Sequence, residues 1–499
     1  MDRTGGIRSV LYEGLESGIP ILSNKAWRSD VMGRISRRVV LSRMAAAAGA
    51  AVFPHSARSE PAGKRGIVSV SRGPADLVVP ADGDGFRYGT GYLFQAGPTQ
   101  AGLMCNLRTE GFPVGDFEAG MDVVVFDDAA KINRAKPVTV TRTTRYADRI
   151  TGKWRVVLKH GVKGGFVPFG ARRADGSPHP HAGTGVGFCE ALDFPMKPDG
   201  SYDKREKTRG MVRTTELQHL AFDGKRFSVT GTETFTEANP LKVAGTKWKI
   251  YCPSLRMGIP DGDDLLMAVA ATTGDTRAWF AKPHVVGVSR WKCVDGRWRP
   301  VEFSPVMADR KTSKKQVVYD VEVRLVAIEP TLIRDIDGSL LFSARFAYES
   351  YDEHVLRVWR STDGGDWKRI LECPETKGQA PVSLNRAADG TPYLVSNPLG
   401  RERDRLVLWP LNEERNGVLD PVLARDALEQ FGPTPSRKPW FMDHPNAAVV
   451  RLADGHWHNL LVYRIMDRGE HSGRAPAKQT GLYVETVRST GAEHPAWRF

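Results

Sequence analysis

Short apolar runs separated by turn residues dominate the chain after residue 65. Runs such as "MDVVVF", "WRVVLKHG" and "HNLLVYR" are rich in Val, Thr, Tyr and Trp, and Gly, Asp, Asn or Pro bound them. This pattern is typical of β-strands joined by turns. The best helical candidate, "DPVLARDALEQFG", is short. The pattern therefore predicts an all-β body over residues 66–499, which no Pro/Ser-rich linker divides.

Three segments of this body share one scheme, in which a Pro and an apolar strand precede R-x-x-D-G and a second apolar strand. Their Asp-Gly turns, at Asp337, Asp389 and Asp454, lie 52 and 65 residues apart, with weaker echoes at Asp223 and Asp295. Asp-Gly between two strands favours a hairpin, because both residues tolerate positive φ. Repeats of this length predict a β-propeller of four-stranded antiparallel blades. Six blades fit the length best; seven blades, or a β-sandwich with insertions, are the alternatives.

The N-terminal region holds the pair Arg37-Arg38, followed by a weakly apolar stretch, Met44–Phe53. This arrangement resembles a twin-arginine export signal. The apolar stretch is too short to cross a bilayer, which takes about 20 residues. The resemblance implies transport by the twin-arginine translocase, cleavage near residues 57–62, and a periplasmic or secreted product without a membrane span.

The predicted domain organisation follows from this signal. Residues 1–61 form an N-terminal extension with the signal peptide, and residues 66–499 form a single propeller domain. Met32 lies just before the arginine pair, so it is an alternative start of translation.

The net charge limits the kinds of ligand that we expect, and the cysteine pattern limits the kinds of metal or redox site. The net charge of +13 suits an anionic substrate, although scattered surface charge explains it equally well. No run of Lys and Arg interleaved with aromatic residues indicates a nucleic-acid groove. The five cysteines are far apart and lack a C-x-x-C pair, which argues against a zinc ribbon or a redox dithiol. We expect neither a metal nor a cofactor.

One motif resembles a known family. The segment "RVWRSTDGGDWKRIL" contains Ser361, Asp363, Gly365 and Trp367. It resembles the Asp box (BNR repeat) of sialidase-like propellers, S-x-D-x-G-x-x-W, one residue short before the Trp. In such a turn the Ser and Asp side chains bind backbone amides and the Trp packs beneath. The motif lies away from the catalytic face in that family, so it implies the fold and not the chemistry.

The resemblance extends to residues that carry chemistry in sialidases. There, a Glu that assists a nucleophilic Tyr precedes a strand, an Asp-Gly turn and a strand ending in an Arg that grips the sugar carboxylate. Glu329 and Arg345 resemble this pair in order and spacing. After "SNP", Arg403 best matches a second arginine of that triad, with Arg401 and Arg405 as competitors. A guanidinium group offers a planar fork to a carboxylate.

The resemblance covers roughly residues 320–470, and the chain departs from the pattern at three points. The place of the nucleophilic Tyr, eight residues before the Asp-Gly turn, is taken by Asn446. The F/Y-R-I-P segment is absent, and "GFRYGTGYLF" offers only Arg87. An acid/base Asp is not identifiable. We therefore expect a sialidase-like fold without a complete sialidase constellation.

Other residues can complete a site. Asp443 and His444 begin a predicted blade strand, and His179 and His181 lie among small residues that would let a ligand approach. A further cluster in "AYESYDEH" comprises Tyr348, Glu349, Tyr351, Asp352, Glu353 and His354. Glycoside hydrolysis needs two carboxyl groups or a substitute. A lyase needs a base and a cation that neutralises a uronate.

The sequence thus predicts an exported glycan-processing enzyme, an exo-type glycoside hydrolase acting on an acidic or complex glycan. A polysaccharide lyase and a non-catalytic glycan-binding propeller are the alternatives. The predicted catalytic residues are Glu329, His444 and Asp443. The predicted substrate-binding residues are Arg345, Arg403, His181 and Asn446.

Overall fold

Six antiparallel blades form a β-propeller in the computed structural model of the protein. All of its described elements lie within residues 63–499, which form one compact unit. The structure describes residues 66–72, 88–108, 118–142, 144–149, 152–196, 212–236, 238–253, 256–273, 285–306, 315–318, 321–324, 326–347, 356–376, 380–399, 403–469, 477–491 and 493–494. The twin-arginine segment lies outside these residues, so the export signal and the domain boundaries stay predictions.

The first three blades follow strand β1 (Ile67–Arg72). Blade 1 comprises β2 (Tyr88–Gly97), β3 (Gln100–Arg108), β4 (Glu118–Phe126) and β5 (Val138–Thr141), with a 3-10 helix at Ala129–Arg134. Blade 2 comprises β6 (Thr144–Ala147), β7 (Trp154–Phe166), β8 (Thr184–Pro195), β9 (Val212–Phe222) and β10 (Phe227–Phe235). Blade 3 comprises β11 (Lys249–Pro253), β12 (Ile259–Asp261), β13 (Asp264–Thr272), β14 (Val285–Val294) and β15 (Arg297–Pro305). Strand β6 adds a fifth strand beside β7, and β11 and β12 together form an interrupted first strand.

A hairpin of β16 (Lys315–Val318) and β17 (Val321–Arg324) precedes the last three blades. Blade 4 comprises β18 (Val326–Arg334), β19 (Leu340–Ala347), β20 (Leu356–Ser361) and β21 (Lys368–Cys373). Blade 5 comprises β22 (Ser383–Arg386), β23 (Pro392–Ser396), β24 (Arg405–Pro410) and β25 (Val422–Asp426), followed by helix α1 (Ala427–Phe431). Blade 6 comprises β26 (Trp440–Arg451), β27 (Trp457–Asp467), β28 (Gly481–Ser489) and the N-terminal strand β1. The pairing of β1 with β28 closes the ring.

The R-x-x-D-G segments form the hairpins between the first and second strands of blades 4, 5 and 6, as the sequence predicts. Each Asp accepts a hydrogen bond from the backbone N–H two residues later, at 2.9–3.0 Å. The glycines that follow have φ between 81° and 91°, the region that favours glycine. Arg334 also donates to the carbonyl oxygen of Gly338, 2.9 Å away. The Arg and the Asp-Gly pair therefore stabilise the turn together.

The two weaker Asp-Gly repeats, at Asp223 and Asp295, lie at a different position in their blades. Asp223 is in the turn between β9 and β10, and Asp295 is in the turn between β14 and β15. These are the outer hairpins, between the third and fourth strands of blades 2 and 3. The Ser361–Trp367 turn has the same outer position in blade 4, where Asp363 accepts from the amides of Gly365 and Asp366.

The hydrophobic core is divided among the contacts between neighbouring blades. The described residues form six buried clusters, one at each of the six blade-to-blade contacts around the ring. Between blades 4 and 5, for example, Ile333 and Leu341 pack against Leu384 and Leu394. Apolar side chains fill the spaces between neighbouring blades. The first strands therefore carry their polar groups near the axis of the propeller.

The two ends of the propeller differ in which strand termini they carry. We call the end that carries the hairpins of Asp337, Asp389 and Asp454 the turn face. The opposite end, where the first strands begin and the second strands end, is the site face. No helix of the described residues is long and apolar enough to cross a membrane.

Candidate active site

The first strands of blades 2, 4 and 6 are each irregular close to a charged residue. Register shifts occur between His160 and Lys163 in β7, between Ile328 and Pro330 in β18, and between Asp443 and Asn446 in β26. Bulges of this kind redirect side chains and are common beside active sites. They place charged side chains of alternate blades toward one another.

Glu329 and His444 both occupy left-handed backbone conformations in these bulges. Their φ angles are 53° and 51°. Such conformations are rare for residues other than glycine and cost about 1–3 kcal/mol each. The packed strands on either side of each bulge therefore hold both residues in a strained conformation.

The carboxylate of Glu329 lies between a guanidinium group and an imidazole at the site face. Arg345, at the end of β19, donates from Nη1 to Glu329 Oε2 at 2.9 Å. The Nε2 atom of His444 lies 3.8 Å from Glu329 Oε1. The Glu329 side chain is 17% exposed, which leaves it accessible to a small ligand group.

The surroundings of Glu329 keep it ionised. Burial would raise the pKa of this carboxyl group, but the charges of Arg345, His444 and Lys163 outweigh burial and lower the pKa to about 2. Glu329 is therefore a carboxylate at neutral pH. It can accept a proton or stabilise positive charge, but it cannot act as a general acid.

Asp443 lies beneath His444 and is engaged by an arginine. Arg464 donates to both carboxylate oxygens, at 2.8 and 2.9 Å, and the Asp443 side chain is 1% exposed. Burial would raise the pKa of Asp443, yet Arg464 and His444 hold it well below its usual range. Asp443 Oδ1 is also 3.0 Å from Nδ1 of His444. Asp443, a predicted catalytic residue, is thus buried beside His444, and its role in catalysis stays a prediction.

Arg403 lies beside this pair and is held by the backbone. Its carbonyl oxygen accepts from the N–H of Met442 at 2.6 Å. Its Nη1 is 3.4 Å from Asp443 Oδ2, and its guanidinium carbon is 4.5 Å from the centroid of the Phe441 ring. The competing Arg405 instead pairs with Asp426 at 2.6–2.9 Å. Arg403 is therefore the arginine that belongs to the cluster.

Two members of the cluster were missed by sequence reasoning. Lys163 is 8% exposed, and its ammonium group is 5.2 Å from the ring centroid of Tyr92. The Asp175-Gly176 turn follows it 12 residues later and repeats the R-x-x-D-G scheme with Arg172, but sequence reasoning did not include this turn among the repeats. Arg464 could have been found, because Asp443, the Asp454 turn and Arg464 repeat the order of Glu329, the Asp337 turn and Arg345 in blade 4.

Two predicted ligand contacts lie outside the cluster. Asn446 is fully buried, and its side-chain oxygen accepts from the backbone N–H of Leu93 at 2.7 Å, which joins blade 6 to blade 1. His181 packs against Trp298, with ring centroids 5.5 Å apart. In the structure, Asn446 thus has a structural hydrogen bond and His181 lies at the turn face.

The position of His181 follows from its neighbour. The amide of His181 donates to Nδ1 of His179, so the proton of that ring lies on Nε2, which is 2.8 Å from the carbonyl oxygen of Gly262. Gly262 follows Asp261, which pairs with Arg334 of the blade 4 hairpin. Both histidines therefore lie at the opposite end of the blades from Glu329.

Several predicted residues lie outside the described part of the chain. These are Arg87, Arg401 and the cluster of Tyr348, Glu349, Tyr351, Asp352, Glu353 and His354.

The site cluster, as the structure describes it, carries an excess of positive charge. Its cations are Lys163, Arg345, Arg403 and Arg464, and its carboxylates are Glu329 and Asp443. The carboxylate of Glu329 and the imidazole of His444 face each other at the accessible end of the cluster, at the site face. The arrangement can bind an anion and transfer a proton at the same place.

Comparisons with known proteins find only likenesses of low similarity. No family model and no curated protein matches the chain. A protein of unknown function from Dyadobacter fermentans is similar with a TM-score of 0.49 and 14% identity, over 85% of this chain and 99% of that chain. Trypanosoma rangeli sialidase in complex with sialic acid gives 0.45 and 12%, over 86% and 59%. Penicillium chrysogenum α-L-arabinanase complexed with arabinobiose gives 0.43 and 12%, over 85% and 98%.

The chain thus spans less than two thirds of the length of the sialidase. At these identities and TM-scores the likenesses do not indicate the activity of this protein.

Proposed function

We propose that the protein is an exported glycan-processing enzyme that binds an acidic sugar at the site cluster and cleaves its glycosidic bond by hydrolysis, as an exo-type enzyme. The observation that carries the proposal is the pairing of ionised Glu329 with His444, 3.8 Å apart and surrounded by cations. Export rests on the twin-arginine segment alone.

Binding of an anionic group is assigned to Arg345 and Arg403. Their side chains are 22% and 14% exposed, so each guanidinium group is partly desolvated and still accessible. A partly desolvated guanidinium binds a carboxylate through short, charge-assisted hydrogen bonds. Lys163 adds a third positive charge from blade 2.

Proton transfer is assigned to His444, with Asp443 as a positioning residue. The carboxylate of Asp443 beside Nδ1 favours a proton on that nitrogen, which leaves Nε2 for the substrate. Hydrolysis needs one group that protonates the leaving oxygen and one that attacks or stabilises the sugar cation. Protonated His444 supplies the first role, and ionised Glu329 supplies the second.

Elimination from a uronate is the second candidate, and one observation favours it. Glycoside hydrolysis needs two carboxyl groups or a substitute. Among the described residues of the cluster, however, Glu329 is the one carboxylate accessible to a ligand, since Asp443 is 1% exposed. In elimination, His444 removes the proton next to the uronate carboxylate while the arginines neutralise that carboxylate; a carbon–carbon double bond forms as the bond to the glycosidic oxygen breaks, and that oxygen takes a proton from water.

Product masses from a panel of sialylated and uronate-containing glycans distinguish these reactions. Hydrolysis adds one water per cleavage, whereas elimination adds none and leaves a product that absorbs in the ultraviolet. The variants Glu329→Gln and His444→Ala should lose cleavage, with His181→Ala at the turn face as the matched control. Binding without cleavage across the panel would refute an enzymatic role and indicate a glycan-binding propeller.

A further inference from the structure

The buried amide of Asn397 lies at the end of the second strand of blade 5, close to the site cluster. Asn397 directly follows β23 and comes eight residues after Asp389, the Asp of its hairpin. In blade 4, Arg345 comes eight residues after Asp337. Asn397 therefore occupies in blade 5 the place that an arginine of the site cluster occupies in blade 4.

The side chain of Asn397 donates to two backbone carbonyl groups. Its Nδ2 atom is 2.7 Å from the carbonyl oxygen of Arg405 and 3.1 Å from that of Met442. Arg405 begins β24 in blade 5, and Met442 lies in β26 of blade 6. Asn397 is fully buried, so water does not compete for these hydrogen bonds. The amide thus joins the two blades at the site face.

Met442 is held from blade 5 through both of its backbone polar groups. Strand β26 is the end strand of its sheet, so one of its edges has no neighbouring strand. Buried backbone groups at such an edge need other partners. The N–H of Met442 donates to the carbonyl oxygen of Arg403 at 2.6 Å, and its carbonyl oxygen accepts from Asn397. These two hydrogen bonds fix the strand at Met442.

The chain directly after Met442 carries the residues assigned to proton transfer. Asp443 is the next residue, and His444 follows it in a left-handed conformation with a φ of 51°. Such a conformation persists only where the surrounding structure holds it. The hydrogen bonds at Met442 hold the chain on the N-terminal side of this bulge. Because a displacement of about 1 Å can cost about 100-fold in rate, this anchor affects the position of the imidazole.

We propose that Asn397 is a positioning residue of the site, which acts through the backbone of Met442 to hold His444 beside Glu329. The catalytic consequence rests on the proposed function. The placement of the imidazole does not, because it is measured without a substrate. A role confined to the stability of the contact between blades 5 and 6 is the outcome to be distinguished.

The first test records the side-chain signals of isotope-labelled histidine in the full chain by nuclear magnetic resonance. The signal of His444 is identified by its absence in His444→Gln. Asn397→Leu and Asn397→Asp both remove the donor, and the second keeps the size of the side chain. In each we expect the His444 signal to shift, whereas the signal of His181 at the turn face should stay in place.

The matched control is Asn459→Leu. Asn459 is 2% exposed, and its side-chain oxygen accepts from the hydroxyl group of Tyr393 in blade 5 at 3.1 Å. It therefore also joins blades 5 and 6, but in the half of the strand next to the turn face. This variant should lose stability and leave the His444 signal unchanged. An unchanged His444 signal in both Asn397 variants, or an equal shift in Asn459→Leu, would overturn the proposal.

The second test measures kcat and KM on a glycan that the wild type cleaves. Both Asn397 variants should lower kcat about 10- to 100-fold and leave KM within about 3-fold, because Asn397 bonds backbone groups and not the anion-binding side chains. A raised KM with unchanged kcat would contradict a positioning role. A wild type that cleaves nothing refutes the proposed function alone, since the His444 signal still decides the placement.

Discussion

Glu329→Gln tests the electrostatics of the site through the stability of the protein. The substitution keeps the size of the side chain and removes its charge. In the wild type, Arg345, His444 and Lys163 lower the pKa of Glu329 from its usual 4.5 to about 2. Because the folded state lowers this pKa, ionisation of Glu329 contributes to the free energy of unfolding.

The magnitude follows from the shift in pKa. Each pKa unit is worth about 1.4 kcal/mol, so the contribution is about 3 kcal/mol where Glu329 is ionised in both states. It is fully present above the unfolded-state pKa and is lost as pH falls through the folded-state pKa. Between pH 6 and pH 3 the loss amounts to about 2 kcal/mol.

The assay is denaturant unfolding of the wild type and Glu329→Gln at several pH values from 6 to 3. The difference in unfolding free energy between the two proteins should shrink by about 2 kcal/mol as pH falls, since all other carboxylates cancel in the comparison. Glu372→Gln removes a carboxylate whose side chain is 46% exposed, and it serves as the control with little pH dependence. Parallel curves for the wild type and Glu329→Gln would refute the reasoning.

Three further predictions concern stability and export. Asp443→Asn leaves a buried guanidinium without its carboxylate and should lower the unfolding free energy by about 3–5 kcal/mol. Asp263→Asn breaks an exposed ion pair and should cost much less in the same assay. Gly338→Ala forces alanine into a φ of 86° and should lower the unfolding free energy by about 1–2 kcal/mol. A loss below about 0.3 kcal/mol would contradict the claim that this turn needs glycine. Substituting Arg37 and Arg38 by Lys should retain the precursor in the cytoplasm, and N-terminal sequencing of the exported wild type should begin near residues 57–62; unaltered export of the variant would contradict the signal.

Local sequence patterns predicted the hairpins because the interactions that form them are local. In the R-x-x-D-G segments the Asp bonds an amide two residues away and the Gly adopts positive φ, so a few residues determine the turn. Closure of the ring was not predicted. It depends on pairing of β1 with β28, which are separated by nearly the whole chain, and short-range periodicity holds no information about such a pair.

The residue beside Glu329 is His444, which the sequence analysis named as catalytic, and not Asn446, which occupies the place of the sialidase Tyr. Counting eight residues back from the turn at Asp454 selects Asn446, but the bulge between Asp443 and Asn446 shifts the register, and His444 is the residue beside Glu329. His181 was selected because small residues surround it. Its neighbour's hydrogen bond to Gly262 and its own contact with a tryptophan hold it at the turn face, and sequence spacing cannot reveal those contacts.

The most direct measurement for the central claim is a crystal structure of Glu329→Gln bound to an acidic trisaccharide that the wild type cleaves. The account predicts the anionic group of the terminal sugar between Arg345 and Arg403, with the glycosidic oxygen within hydrogen-bonding distance of His444 Nε2. A glycan bound at the turn face beside His181, or one whose glycosidic bond lies away from His444, would contradict it.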